Sequence, residues 1–148
     1  MTSTPHRWLV VACAVVTLVA LARAEAGGFV LVKHVKNPTA RLTKDAAKSV
    51  FNGRTKAWAN DEAIVLVIGS EDSPAMTWLA TTLFGVSAKT YLAKLKQDVF
   101  KGDVRHPVSA DDDAKTIKRI QGGAGVVGLV TEDGAKALPG DVAVIPIQ

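Results

Sequence analysis

The sequence predicts an α/β domain, a mainly parallel sheet flanked by helices, and three observations predict it. Short β-branched runs, above all Ile64-Val65-Leu66-Val67-Ile68, read as buried strands because they are continuous, apolar and too short for helices. Between them lie segments whose apolar residues recur at helical spacing. Those segments open on Ser, Thr or Asp and close near glycine, the residue types that cap helices. Strands alternating with helices pack as a sheet with helices against its faces.

Phe29 to Val35 is the first expected strand, and Asn37-Pro38 ends it, since proline and its predecessor favour extended or turn geometry. Thr43 is the expected N-cap of a helix through Phe51, with Ala46, Ala47, Val50 and Phe51 on its buried face. Gly53 suits the left-handed position that closes it. After the Ile64–Ile68 strand, Asp72-Ser73-Pro74 places a capping side chain before a proline at the first helical position. Met76, Leu79 and Leu83 form that helix's apolar stripe, and Gly85 closes it. Ser87 caps the next, buried through Ala88, Tyr91, Leu92, Leu95 and Val99. Ser109-Ala110-Asp111-Asp112 is read as the start of a fourth helix, which contains Ile117 and Ile120 and stops at Gly122-Gly123. Val126–Val130 and Val142–Ile147 are the last expected strands, with a helical turn from Glu132 to Leu138 between them.

Residues 1–24 read as a signal peptide. A weakly basic start, His6-Arg7, precedes an apolar run from Trp8 to Ala22, and small-x-small sites allow cleavage after Ala24 or Ala26. A transmembrane helix needs roughly 20 apolar residues, and Arg23 and Glu25 end this run earlier. Residues 27–148 are then one domain, periplasmic or secreted, with no membrane association after cleavage. The single cysteine, Cys13, lies in the leader, so the expected mature chain has no thiol for disulfides or thiolate metal sites. Cleavage after Ala24 also removes Arg7 and Arg23, leaving 18 − 2 = 16 basic residues against 14 acidic ones. Lys and Arg are spread along the chain with acids between them, unlike the concentrated basic face of a nucleic-acid binder.

Two blocks carry a resemblance. The first runs through Asn37-Pro38, Leu42-Thr43, Val50-Phe51-Asn52-Gly53-Arg54, Trp58 and the Ile64–Ile68 strand. The second holds Phe100-Lys101-Gly102, Pro107 and Gly123-Ala124-Gly125-Val126-Val127-Gly128-Leu129-Val130. Together they resemble the solute-binding proteins of phosphate ABC importers, and more closely their short, single-domain relatives. The resemblance implies one lobe of a type II periplasmic-binding-protein fold and a non-enzymatic, extracytoplasmic ligand-binding role. Such proteins clamp a ligand between two lobes, and the length here suits one.

The candidate site is the loop Gly69-Ser70-Glu71-Asp72-Ser73, between a buried strand and a helix start. Ligands of open α/β sheets bind beyond the carboxyl ends of strands, and helix N-termini favour anions. Ser70, Asp72 and Ser73, with Thr39 from the loop after the first strand, are the candidate ligand-binding residues; Arg41 offers a cation beside Thr39, and an ordinary polar loop explains both. The resemblance implies an oxyanion held by an arginine, an aspartate and a Ser-Gly-Thr run. Here Ser70 stands at the arginine position, Pro74-Ala75-Met76 replaces the run, and only Asp72 matches, with Glu71 adding a second negative charge. Short relatives carry arginine where Met76 stands. The bland reading is that Asp72 and Ser73 only cap a helix, typically worth ~1 kcal/mol. Phosphate or another small oxyanion, if bound, is therefore expected to bind no better than roughly millimolar, or about −4 kcal/mol. The alternative is a protein-interaction module of the cell envelope built on one lobe.

Other motifs point away from chemistry. The glycines at 122, 123, 125 and 128 follow a helix and enter a strand, the reverse of a phosphate-cradling loop. Asp111-Asp112-Asp113 lacks the alternating ligands of a calcium loop and suits a first helical turn. His34 and His106 have no metal-ligand spacing, and no Gly-x-Ser-x-Gly elbow is present. Trp58 and Trp78 read as packing anchors. No cofactor, metal or catalytic residue is expected.

Overall fold

The computed structural model describes residues 28–148; the signal-peptide and cleavage-site expectations lie outside them. Five strands form one sheet in the order β3-β2-β4-β1-β5. They are β1 (Phe29–His34), β2 (Val65–Ile68), β3 (Val108–Ser109), β4 (Val126–Thr131) and β5 (Val142–Ile145). β2 is parallel to β3 and β4, whereas β1 runs antiparallel to β4 and β5. Four strands thus share a direction and β1 opposes them, so the sheet is mixed. The direction of β1 leaves no local trace, because both its partners come roughly a hundred residues later in the chain.

The helices are α1 (Lys44–Phe51), α2 (Pro74–Leu79), α3 (Ala88–Phe100), α4 (Asp113–Gln121) and the short α5 (Glu132–Ala135), with a π-helical turn (Ala80–Phe84) continuing α2. Their caps follow the sequence. Thr43, Ser73 and Ser87 accept from the N–H of Ala46, Met76 and Thr90. Gly53 and Gly85 take positive φ, 77° and 64°, just past helix ends, where a side chain would be strained. One boundary is corrected. Ser109 is not a helix start but the end of β3, since Ala110 N–H bonds the Ile68 carbonyl and holds the segment against β2. The cap of α4 is Asp112, whose carboxylate accepts from Lys115 N–H at 2.8 Å.

Strand side chains alternate between two apolar clusters, as period-2 geometry requires. Leu31, Leu66, Val127, Leu129 and Ile145 face α1, α2 and α3, joining Val50, Phe51, Leu79 and Leu95. Val32, Val67, Val130 and Val142 face Ile120 of α4, with Ile117 packed alongside. Gly128 lets α4 approach: a Cβ there would lie 2.8 Å from Thr116 Cγ2. Trp58 is an anchor, 6% exposed, with its indole N–H donating to the Gly125 carbonyl at 3.0 Å. Trp78 packs on Phe29, ring centroids 6.1 Å apart.

Candidate functional site

The parallel strands end together at one edge of the sheet. From β2 the chain passes through Gly69–Ser73 into α2, and from β3 through Ala110–Asp112 into α4. Thr131 ends β4 and caps α5. A cleft of about 140 Å³ opens among these connections, lined by Gly69, Ser73, Met76, Asp111, Asp113 and Thr131 among others. At ~30 Å³ per water this is room for about four or five waters, or a small ion with part of its hydration.

Most polar groups at this cleft are already engaged. Ser73 is buried and its Oγ accepts from Met76 N–H at 3.3 Å, while its own N–H bonds the Ser70 carbonyl at 3.0 Å. Gly69 is required beside it, because a Cβ would fall 2.6 Å from Ser73 Oγ. The Ser70 N–H donates to the Asp111 carboxylate at 3.0 Å. An exposed amide next to a helix start would suit an oxyanion; here the chain's own carboxylate takes it. Asp113 accepts from both the N–H and the hydroxyl of Thr131, which tethers α4 to the end of β4. Among the described residues no lysine or arginine lines the cleft.

Acids outnumber bases at this edge. Glu71 and Asp72 follow β2, Asp111, Asp112 and Asp113 follow β3, and Glu132 and Asp133 follow β4. Lys115 offsets Asp112 at 3.7 Å and Lys136 offsets Asp133 at 3.0 Å. Hydrogen bonding to Asp133 raises the affinity of the Lys136 ammonium for its proton.

The structure brings Ser70, Asp72 and Ser73 into one loop but does not bring Thr39 to it. β1 opposes β2, so the carboxyl end of β1 lies at the other end of the sheet from Ser70. Thr39 is tied there: its N–H bonds Asn37 Oδ1 at 3.0 Å, and its carbonyl accepts from Lys33 Nζ. Lys33 also donates to the Asn37 carbonyl at 2.7 Å, and burial lowers its pKa. Met76 lies on the apolar stripe of α2, as the sequence predicts. It is 2% exposed in the main apolar cluster, so it is a core side chain and not an empty place for a cation. The residues that sequence reasoning missed are Asp111 and Asp113. They read as ordinary acids of a first helical turn, and only the pairing of β3 beside β2 carries them to the Ser70 loop.

No family model matches the chain, and no curated protein does. Solved structures do. An ABC-type phosphate transport receptor from Vibrio cholerae superposes with a TM-score of 0.60 at 16% identity, over 82% of this chain and 46% of that one. A putative phosphate ABC transporter substrate-binding protein with bound phosphate, from Clostridium perfringens, gives 0.60 at 17%, over 82% and 45%. PstS from Borrelia burgdorferi gives 0.61 at 10%, over 82% and 47%. The likeness is one of fold. The described residues have the fold of one α/β lobe of the type II periplasmic-binding-protein fold, and the chain spans about half the length of the structures it matches. Among the described residues no three His, Cys, Asp or Glu are grouped to hold a metal, and no helix is long and apolar enough to cross a membrane.

Proposed function

We propose that the protein is an exported, non-enzymatic solute-binding-like domain related to phosphate-binding proteins, periplasmic or secreted, in which oxyanion binding is weakened. The observation that carries this reading is the bond from Ser70 N–H to Asp111. It stands where a strand–loop–helix connection would offer an anion an unpaired donor, in a cleft without a cation. An anion at the rim of Ser70, Asp72 and Ser73 must displace that carboxylate and face Asp113 as well. Each hydrogen bond there also competes with water and contributes little net.

Phosphate and sulfate titrations followed by amide NMR test it. Shifts of the Ser70–Met76 amides are expected only at millimolar anion, about −4 kcal/mol. Micromolar binding would show that the carboxylate does not block the loop.

A second reading, a protein-interaction module of the cell envelope, is favoured by the acidic edge itself. Carboxylates follow three successive strands and suit a cationic protein surface better than a free anion. It gains if no anion binds even after Ser70→Arg, which restores a cation at an exposed position.

A further inference from the structure

A cavity of about 610 Å³ lies away from the acidic edge. It opens between the end of α1, the π-helical turn and α3, and it reaches Lys56, whose carbonyl bonds Ile64 N–H just before β2 begins. We propose that this cavity binds a small organic anion with an apolar body, such as an aromatic or short alkyl carboxylate or sulfonate. This site is independent of the Ser70 loop.

The inner wall is carbon. Phe51 and Leu95 are buried, and Phe84 stacks on Tyr91 with ring centroids 5.1 Å apart. The Tyr91 hydroxyl is spent on the Phe51 carbonyl at 2.7 Å, so the tyrosine presents its ring and not its hydroxyl. Phe84 ends the π-helical turn, and Gly85 in the left-handed region redirects the chain after it. Such turns recur at functional sites. The volume falls within the ~300–1,000 Å³ usual for small-molecule sites, which combine apolar walls with a few polar groups.

The rim supplies the charge. Lys94 is held by Asp98 at 2.6 Å. Arg54 and Lys56 make no ion pair among the described residues and are exposed at the mouth. Arg105 lines an adjoining cavity of about 320 Å³ that shares Gly53, Lys56, Asp103 and Val104 with the first. Beyond the Lys94–Asp98 pair, Arg54, Lys56 and Arg105 stand against one further carboxylate, Asp103, the reverse of the acidic edge. Val104 seats on Gly53, where a Cβ would lie 2.2 Å from its methyl, and so divides the two cavities. The Val50–Arg54 segment singled out in the sequence thus forms both floor and rim: Phe51 inside, Gly53 under Val104, Arg54 at the mouth.

Amide NMR of the purified protein with 2-naphthalenesulfonate, beside the neutral 2-naphthalenemethanol, tests this. Saturable shifts of the Gly53, Arg54, Gly85 and Val104 amides are expected with the sulfonate, and binding at least tenfold weaker with the alcohol. Arg54→Gln/Lys56→Gln alters exposed side chains only and is expected to weaken the sulfonate about tenfold. Thr90→Trp, an exposed lining position, is expected to abolish binding and leave a phosphate titration of the Ser70 loop unchanged. Equal affinity for sulfonate and alcohol, or shifts confined to other regions, overturns the proposal. So does a concentration-dependent shift of these amides without ligand, which would make a second copy the occupant.

Discussion

Removing the Asp111 carboxylate is the most direct way to learn whether the Ser70 loop is an anion site held shut. The carboxylate sits 3.0 Å from Ser70 N, so an oxyanion accepting the same N–H would come within roughly 4–5 Å of it. At that distance two unit charges repel by about 1 kcal/mol in water and about 4 kcal/mol at an effective dielectric of 20. Ser70 and Asp111 are both exposed, so screening favours the low end. Asp111→Ala is therefore expected to tighten phosphate binding about tenfold, the equivalent of ~1.4 kcal/mol. It costs about 1 kcal/mol of stability through the lost hydrogen bond. Asp111→Asn removes the charge but keeps an acceptor on Ser70 N–H, so it should tighten binding less. Phosphate titration by amide NMR at low ionic strength reads both variants, and added salt should shrink the gap to wild type. Unchanged or weaker binding by Asp111→Ala, with a native spectrum, would refute the reasoning.

Three further outcomes follow from the packing. Gly53→Ala combines a left-handed residue with a Cβ driven against Val104, and should cost about 2–4 kcal/mol in urea unfolding. Met76→Arg places a guanidinium among core side chains, so a loss of at least ~3 kcal/mol or failure to fold is expected in thermal melts, and not tighter anion binding. Tyr91 is buried, which raises its phenol pKa above the usual value of 10.0. An unfolded chain then loses that proton more readily than the folded one. The contribution is fully present below pH 10 and is lost as pH rises beyond it. Lys33, with its pKa lowered by burial, has the opposite sign, with stability rising with pH below its ordinary 10.5. Melting wild type and Tyr91→Phe from pH 9 to 12 isolates the tyrosine, and a difference that does not vary with pH would count against it.

Local chemistry made most of the elements legible. Thr43, Ser73 and Ser87 cap the helices they precede, and the strand cores lie where β-branched runs predict them. These features are decided within a few residues, so periodicity and capping suffice to find them. Two others are decided by distant pairings. The reversal of β1 depends on partners near the other end of the chain. β3 is only Val108–Ser109, too short for any pattern, and it exists because β2 offers a free edge.

That short strand also explains why the candidate site is only half visible in the sequence. The loop after β2 stands out in the sequence because a buried run leads into Ser73-Pro74, and the structure keeps Ser70, Asp72 and Ser73 together there. What the sequence hides is the company they keep. Asp111 reaches Ser70 N–H because Ala110 N–H bonds the Ile68 carbonyl and lays β3 alongside β2. Thr39 leaves the group because β1 runs the other way. Membership of the site is therefore set by strand direction and edge pairing more than by residue type. The same two facts decide the sign of its charge: three aligned strand ends bring their acids together, while Arg54, Lys56 and Arg105 gather around the cavity that extends toward the start of β2. A lobe polarised in this way sets carboxylates at the edge where its fold offers backbone donors, and cations around its apolar cavity.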